Sequence, residues 1–183
     1  MKQKVLPLVF LAAFSIQSFA QEETANAVFI DLSSTIIGVT SGGFGIGAGY
    51  ERALNNYFSV LGNFSVIGFE VNGGEYLGIG VIVYGRTYPF SGGTAVREFF
   101  ISIGGGYSYI DIKYNGEEDV SNIVEAKILV GWKFVFGHPN GIFLEPAAGI
   151  GFVFADKVNT PPGMGTVPLS NKIQYGVSLG YAF

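Results

Sequence analysis

The stretch at positions 172–183 constrains the fold more than any other, because apolar and polar side chains alternate along it without a break. The odd positions are bulky and apolar: Ile173, Tyr175, Val177, Leu179, Tyr181 and Phe183. The even positions are small or polar: Lys172, Gln174, Gly176, Ser178, Gly180 and Ala182. A period of two places successive side chains on opposite faces of a strand. The stretch therefore predicts a β-strand with one apolar and one polar face.

Seven earlier segments alternate in the same way and are separated by turn or loop sequences. We predict eight strands, at about 27–37, 43–52, 57–69, 75–88, 97–112, 122–136, 142–154 and 172–183. The acidic segment Asn115–Asp119 and the segment 155–170 are predicted to be loops. Pro146 weakens strand seven, because a strand paired on both sides has no place for a missing N–H except at a bulge. An even number of antiparallel strands can close with no free edge, so the predicted fold class is an all-β, eight-stranded antiparallel up-and-down barrel.

The small and polar residues at every second position of the strands, called the polar phase here, indicate which side of the barrel meets water. It consists mostly of Gly, Ser and Ala with a few charged residues. A solvated exterior would carry many Lys, Glu and Thr side chains, whereas small residues suit the crowded interior of an eight-stranded barrel. The alternative is a soluble lipocalin-like barrel with its apolar phase inside, but the G-x-W sequence that opens lipocalins is absent from strand one. We therefore predict a transmembrane barrel whose apolar phase faces lipid.

The first 20 residues have the composition of a secretory signal peptide. The basic residues Lys2 and Lys4 precede an apolar run at 5–16, and Ser18-Phe19-Ala20 provides a cleavage site. Cleavage after Ala20 would leave one barrel domain at 21–183, with 8 basic and 14 acidic residues and a net charge of −6. This charge argues against a nucleic-acid partner. Since the chain has no Cys, we expect neither disulfides nor thiolate metal sites, and no cofactor is predicted.

Charged side chains also fall on the inward phase of the strands: Asp31, Glu51, Arg86, Glu125, Lys127, Lys133, Glu145 and Lys172. Four of these are predicted to lie at similar depth and to form a lumen charge cluster: Glu51, Arg86, Lys133 and Glu145. Opposite charges in a narrow lumen should pair, because an unpaired buried charge costs several kcal/mol. The cluster is interpreted either as a gate on a narrow ion path or as a salt-bridged plug, and the plug is favoured.

The predicted signal peptide, the eight alternating strands and the terminal Gly180-Tyr181-Ala182-Phe183 together carry a family resemblance. The chain resembles the small eight-stranded outer-membrane barrels of the OmpA/OmpX/OmpW-like group, the "outer membrane protein β-barrel domain" family. The resemblance implies the outer membrane of a Gram-negative bacterium, with outer-membrane lipid and lipopolysaccharide as partners. It also implies that Tyr181 and Phe183 belong to a C-terminal signal that the barrel-assembly machinery reads during insertion. Other outer-membrane proteins are further candidate partners.

These features specify an architecture more closely than an activity. The first hypothesis is a structural or interaction protein without catalysis, with a plugged lumen, and suited to be a subunit of a larger assembly. The alternative is an OmpW-like narrow channel or transporter for small or apolar solutes. A third hypothesis is a lipid A-modifying enzyme, since enzymes on this scaffold use a His with a Ser and an acid. The chain has a single His, His138, in a predicted periplasmic turn, and no Ser–His arrangement is evident, so no enzyme is expected.

Overall fold

The computed structural model of the chain describes residues 26–71, 73–90, 96–114, 116–137, 140–155 and 172–183. Eight strands and one helix follow in order: β1 (Asn26–Asp31), α1 (Leu32–Thr40), β2 (Phe44–Ala53), β3 (Phe58–Val71), β4 (Gly74–Thr87), β5 (Glu98–Tyr114), β6 (Glu117–Phe136), β7 (Gly141–Ala155) and β8 (Lys172–Ala182). Each strand pairs antiparallel with its neighbour in sequence, and β1 pairs with β8 to close the barrel. The predicted eight-stranded antiparallel up-and-down barrel is thereby confirmed. The predicted signal peptide, His138 and all but the first residue of the predicted loop 155–170 lie outside the described residues.

The residue register gives the barrel a shear number of 10. If one starts at Ala27 and moves from each residue to its cross-strand partner through β2 to β8, the path ends at Lys172. Ala27 itself pairs with Ala182, which lies ten residues further along β8. A shear greater than the strand number means that the strands tilt steeply against the barrel axis. Inward side chains far apart along the register can therefore meet across the lumen.

Side-chain exposure alternates along the strands and places the apolar phase on the outer surface. In β4, for example, Val81 and Val83 are about half exposed, whereas Ile82 and Tyr84 are buried. Large apolar side chains on the outer phase of the other strands are exposed in the same way: Ile30, Ile46, Phe64, Ile103, Ile128, Val130, Leu144, Ile150 and Leu179. The outer surface of the barrel is therefore apolar over most of its height.

Outward aromatic rings form a contiguous row at one end of the barrel. This end, called the lower end here, carries the β2–β3, β4–β5 and β6–β7 connections, and the opposite end is called the upper end. Ring contacts run from Phe90 to Phe99 (centroids 5.7 Å apart), to Trp132 (6.3 Å) and to Phe134 (6.1 Å). Such a row of rings is typical of the girdle at a membrane–water interface.

The prediction of a first strand reaching residue 37 is wrong, because β1 ends at Asp31 and the helix α1 follows. Asp31 caps this helix: its carboxylate accepts hydrogen bonds from the Ser33 N–H and from the Ser34 hydroxyl, each at 2.9 Å. The doublets Ser33-Ser34 and Ile36-Ile37 break the period of two, and side-chain capping by Asp is a strong helix-start signal. No helix in the described ranges is long and apolar enough to cross a membrane.

Helix α1 packs against small inward residues where the early end of β1 leaves β2 and β8 without a strand between them. The pairing of β1 stops at Ala48 on β2 and at Ser178 on β8. Beyond these points the hydroxyl of Ser33 accepts a hydrogen bond from the Val177 N–H of β8 (3.0 Å). A Cβ placed on Gly45 would lie 1.8 Å from the Ser34 carbonyl oxygen, so only glycine permits this contact.

The predicted acidic loop Asn115–Asp119 is also wrong, because most of it belongs to a long hairpin. Tyr114 of β5 pairs directly with Glu117 of β6, which leaves residues 115–116 as the connection. Gly116 has a φ of +82°, the left-handed conformation that glycine adopts at little cost in such turns. The acidic residues fit a strand because a cation lies opposite one of them: Lys113 Nζ is 2.8 Å from Glu118 Oε1.

Strand β7 accommodates Pro146 without a bulge. Pro146 pairs in register with Val177 of β8. On the other side of β7, the β6–β7 ladder is interrupted between two cross-strand pairs, Gly131 with Ala147 and Phe134 with Leu144. The N–H that Pro146 lacks therefore falls at a gap in the ladder.

We predict that Gly45→Ala destabilises the barrel by about 1–3 kcal/mol, because the added methyl group must displace the α1 backbone. The free energy of unfolding in urea, measured by tryptophan fluorescence of the protein in detergent, checks this. Gly62→Ala is the matched control, since nothing lies within 4 Å of its Cβ position. Equal stability of the two variants would contradict the close packing of α1 on β2.

Candidate functional site

The four charged residues predicted to lie at one depth meet in the lower half of the lumen. Glu51 of β2, Arg86 of β4, Lys133 of β6 and Glu145 of β7 are each no more than 6% exposed. Arg86 binds Glu145 through both terminal nitrogens (2.9 and 2.6 Å) and reaches Glu51 through Nη1 (3.1 Å). Lys133 Nζ lies 3.1 Å from Glu145 Oε2 and also donates to Glu51 Oε2. Both cations therefore bridge both carboxylates, and the four residues form the lumen charge cluster.

Two hydroxyl groups complete the hydrogen bonding of Glu51. Ser59 Oγ and Tyr88 Oη each donate to Glu51 Oε1 at 2.5 Å. Ser59 also lies directly opposite Arg86 in the β3–β4 register, and Ser102 lies opposite it in the β4–β5 register. Because both neighbours are small, the Arg86 side chain has room to extend into the lumen. The local sequence thus supplies both space and donors to the cluster.

Aromatic rings form a floor below the charge cluster. Phe100, Phe143 and Tyr88 are fully buried near the lower end of the barrel. The Arg86 guanidinium lies 4.2 Å from the Phe100 ring centroid, and Lys133 Nζ lies 4.5 Å from that of Phe143. Cation–π contacts of this kind strengthen when they are shielded from water. The cluster and this aromatic floor together place seven buried side chains in the lower lumen.

Inward glycines provide the space that these rings occupy. Each of four inward aromatic rings lies over the glycine directly opposite it on the neighbouring strand, and a Cβ there would approach the ring to 2.1–2.5 Å: Phe29–Gly49, Tyr84–Gly104, Phe100–Gly131 and Phe143–Gly180. A ring covering a cross-strand glycine also shields the bare backbone. The inward glycines are therefore required for packing around the site.

The charge cluster is electrically neutral, and this explains how four charges can be buried together. Burying an ion costs several kcal/mol even after relaxation, and only close partners with further hydrogen bonds offset that cost. When hydrogen bonds and ion pairs are counted together, the Glu51 carboxylate makes four such contacts and the Glu145 carboxylate makes three. The arrangement can fix the relative positions of β2, β4, β6 and β7. It offers no group free to act as an acid, a base or a nucleophile.

A cavity of about 200 Å³ lies above the charge cluster. Arg86 and Glu145 form part of its floor, and Asp31 at the end of β1 contributes to its wall together with Ser33 and Ser34 of α1. The remaining lining combines a few apolar side chains with small polar ones: Phe29, Leu61, Asn63, Ser65, Ile82, Tyr84, Ser108, Leu129, Gln174 and Ser178. A cavity of mixed polarity therefore lies above the cluster, and buried aromatic side chains lie below it.

The other inward charges lie apart from the cluster. Glu125 and Lys127 form an ion pair of 2.9 Å on β6 and line the cavity. Asp31 also lines the cavity and caps α1, and the Lys172 side chain lies outside the described residues. In the described part of the chain, no group of three or more His, Cys, Asp or Glu side chains could hold a metal ion.

The C-terminal residues singled out in the sequence lie at the lower end of the barrel. Tyr181 and Phe183 project outward, nearly half exposed, with their rings stacked at a centroid distance of 6.4 Å. The backbone of Phe183 exchanges two hydrogen bonds with Asn26 (2.6 and 2.8 Å). The terminal residues thus continue the seam at which β8 meets β1.

Two residues of the site were missed in the sequence. Tyr88 lies two positions after Arg86 on the same phase, so the period of two could have placed it beside Glu51. Phe29 occupies the inward phase of β1 between Ala27 and Asp31, but its size and apolarity suit either face. Gly49, the glycine opposite it on β2, is the feature of the sequence that could have placed the Phe29 ring in the lumen.

Comparison with known proteins gives similarity only among solved structures. No protein-family model and no curated protein matches the chain, so the resemblance to the OmpA/OmpX/OmpW-like group stays a prediction at family level. The structure of Neisserial surface protein A aligns with 13% identity, a TM-score of 0.45, and coverage of 87% of this chain and 93% of that chain. CarO of Acinetobacter baumannii aligns with 13% identity, a TM-score of 0.42, and coverage of 91% and 99%. At this level of similarity, function has to be inferred from the chain's own residues.

We predict that Lys133→Met and Glu51→Gln each lower the free energy of unfolding by about 3–5 kcal/mol, because each leaves a buried charge short of a partner. The double variant keeps the neutral Arg86–Glu145 pair, so its loss should be well below the sum of the two single losses. Denaturant titration of all four proteins in the same lipid vesicles measures this coupling.

The exposed pair Lys113–Glu118 provides the control for that cycle, since both side chains are at least half exposed. Lys113→Met and Glu118→Gln should leave stability unchanged within error, alone or together. Additive losses in the buried cycle, equal to the sum of the single variants, would contradict an interlocked cluster.

Proposed function

We propose that the chain is an integral β-barrel protein of the outer membrane of a Gram-negative bacterium, exported by a cleaved signal at 1–20. The apolar outer surface supports this, since a surface so rich in exposed Val, Ile, Leu and Phe suits hydrocarbon rather than water. The closed ladder supports it as well, because an unpaired strand edge is not tolerated in lipid. The row of aromatic rings at the lower end fits the periplasmic interface.

The proposed role is structural or interactive, without catalysis, and the observation that carries it is the set of buried, mutually paired side chains in the lower lumen. The lumen charge cluster and the aromatic floor together bury seven large side chains across the barrel. A neutral, fully paired cluster favours a plug, because an ion entering it would have to break several ion pairs at once. The protein is then a rigid membrane-embedded body that presents its outer surface and its upper end to partners.

The proposed partners follow from this placement. Outer-membrane lipid and lipopolysaccharide surround the apolar surface, and other outer-membrane proteins can pack against it as parts of a larger assembly. The outward aromatics Tyr181 and Phe183, which lie beside the closing seam, are proposed to be read by the barrel-assembly machinery during insertion. No nucleic-acid partner is proposed.

A narrow channel or transporter for small solutes is the second candidate. The polar cavity above the cluster favours it, because solute can collect there directly over Arg86 and Glu145. Transport would then require the cluster to part. Catalysis is not proposed, since any Ser–His arrangement would depend on His138, which is the one His of the chain.

We predict that Ile128→Arg lowers stability by about 2–4 kcal/mol in lipid vesicles, the cost of an Arg facing the bilayer midplane. Ile128 lies midway along β6 and is about half exposed on the outer phase. Glu70→Arg, at the exposed upper end of β3, is the control and should change stability little. The proposal of a lipid-facing surface fails if Ile128→Arg is as stable as the control, or if the folded wild-type protein stays monodisperse without detergent.

We predict that the wild-type protein inserted into a planar bilayer shows no stepwise ion conductance. Replacing the paired Arg86 and Glu145 together by Ser should produce measurable conductance, because it removes two large side chains from the plug while conserving net charge. The double variant Glu125→Ser/Lys127→Ser, which removes an ion pair from the open cavity instead, should stay closed. Conductance steps from the wild-type protein would support the channel and rule out the plug.

A further inference from the structure

Among the described strand residues, the outward phase of the barrel carries a single charged side chain at its lower end. This residue is Arg52, which lies near the end of β2 between the buried Glu51 and Ala53, so the alternation places it on the outer surface. The other charged residues of the outward phase lie in β3 to β6 at the upper end: Glu70, Glu75, Asp111, Lys113 and Glu118. The lower outer surface is therefore positive, whereas the upper one has a net negative charge.

Arg52 has no anionic partner within the part of the chain that the structure describes. Its guanidinium takes part in no ion pair and no hydrogen bond there. Its cross-strand neighbours, Asn26 on β1 and Val60 on β3, are uncharged. The chain-terminal residue Phe183 lies beyond Asn26, two strand spacings or about 10 Å from Arg52. Since Arg52 is partly buried and an unpaired charge is costly away from water, the site calls for an anion from outside the chain.

The surroundings of Arg52 fix the depth at which that anion would lie. The outward rings of Tyr50 and Phe58 flank Arg52 and are about half exposed. Such rings lie at the headgroup level of a membrane. Towards the middle of the barrel, Val28 and Val60 continue the apolar outer surface. An Arg at this depth lays its methylene groups on apolar surface and its charged end among the lipid headgroups, where the common anion is the phosphodiester of a phospholipid.

We propose that Arg52 is the centre of a binding site for the phosphodiester of a glycerophospholipid in the periplasmic leaflet. The guanidinium donates two parallel hydrogen bonds to the phosphate oxygens, a geometry that Arg provides and Lys does not. The acyl chains of the same lipid pack on Val28, Val60 and Phe58. The carboxylates of the outward phase at the upper end would repel the same phosphate. This site rests on the proposed function, because it requires a membrane around the barrel and the lower end in the periplasm.

Titration of the full barrel in dodecyl maltoside with dioleoyl phosphatidylglycerol tests the proposal, with bound lipids counted by native mass spectrometry. One lipid should be retained in a saturable way, and its ³¹P NMR signal should shift on binding. Dioleoylglycerol has the same chains but no phosphate and should bind about tenfold more weakly. Arg52→Gln should weaken phosphatidylglycerol by a similar factor and leave dioleoylglycerol unchanged. Arg52→Lys should fall between the wild type and Arg52→Gln, because Lys keeps the charge but loses the bidentate geometry.

Arg97→Gln is the matched control. It makes the same change in charge at the same end of the barrel, but the Arg97 guanidinium already donates to the Gly137 carbonyl oxygen at 3.4 Å, so lipid binding should equal that of the wild type. Circular dichroism of each variant confirms that the barrel has formed.

The lipid site is overturned if dioleoylglycerol binds as well as phosphatidylglycerol, or if Arg52→Gln binds as well as Arg97→Gln. It is equally overturned if lipopolysaccharide displaces phosphatidylglycerol from the wild type at equal concentration, since the phosphate would then come from the opposite leaflet. These outcomes leave the membrane placement standing, because that placement fails only if the barrel needs no detergent or lipid to stay monodisperse.

Discussion

The closed ladder of backbone hydrogen bonds is the constraint on which the rest of this molecule depends. Backbone N–H and C=O groups need hydrogen-bond partners, and closing the sheet gives each strand a neighbour on both sides. Eight strands with a shear of 10 satisfy this with steep tilt and a narrow lumen. The narrowness has two consequences: large inward side chains need glycines opposite them, and inward charges are forced together.

The lumen charge cluster shows how a narrow interior turns scattered residues into one unit. Glu51 and Glu145 are 94 positions apart in sequence, yet Arg86 contacts both. Hydrophobic side chains of similar volume could fill the same space at no greater cost in stability. What the charges add is direction, because a bidentate Arg–Glu pair fixes the relative position of its two strands in a way that aliphatic packing does not.

The period of two predicted the eight-stranded barrel and its apolar outer phase, because in a barrel the period alone decides which side chains face the lumen. It also assigned Glu51, Arg86, Lys133 and Glu145 to one phase, and these four side chains contact one another in the lumen. It failed where local chemistry competes with it. Asp31 as a helix cap outweighed the alternation that continues weakly to Ile36. Cross-strand pairing likewise outweighed the charges that made Asn115–Asp119 look like a loop. The cavity could not be predicted, since it depends on where α1 sits and on the sizes of side chains from every part of the wall.

The early end of β1 affects how the wall is held shut. The ladders on the two sides of β1 are short: β1 has five paired positions with β2 and five with β8, the latter extended by the backbone pair of Asn26 and Phe183, whereas β5 and β6 are paired at seventeen. Opening a seam requires breaking its hydrogen bonds, so the two seams beside β1 are less costly places for the barrel to open than the long β5–β6 seam. Of these two, the seam between β1 and β8 joins the segments most distant along the chain, so we expect it to pair last when the sheet closes.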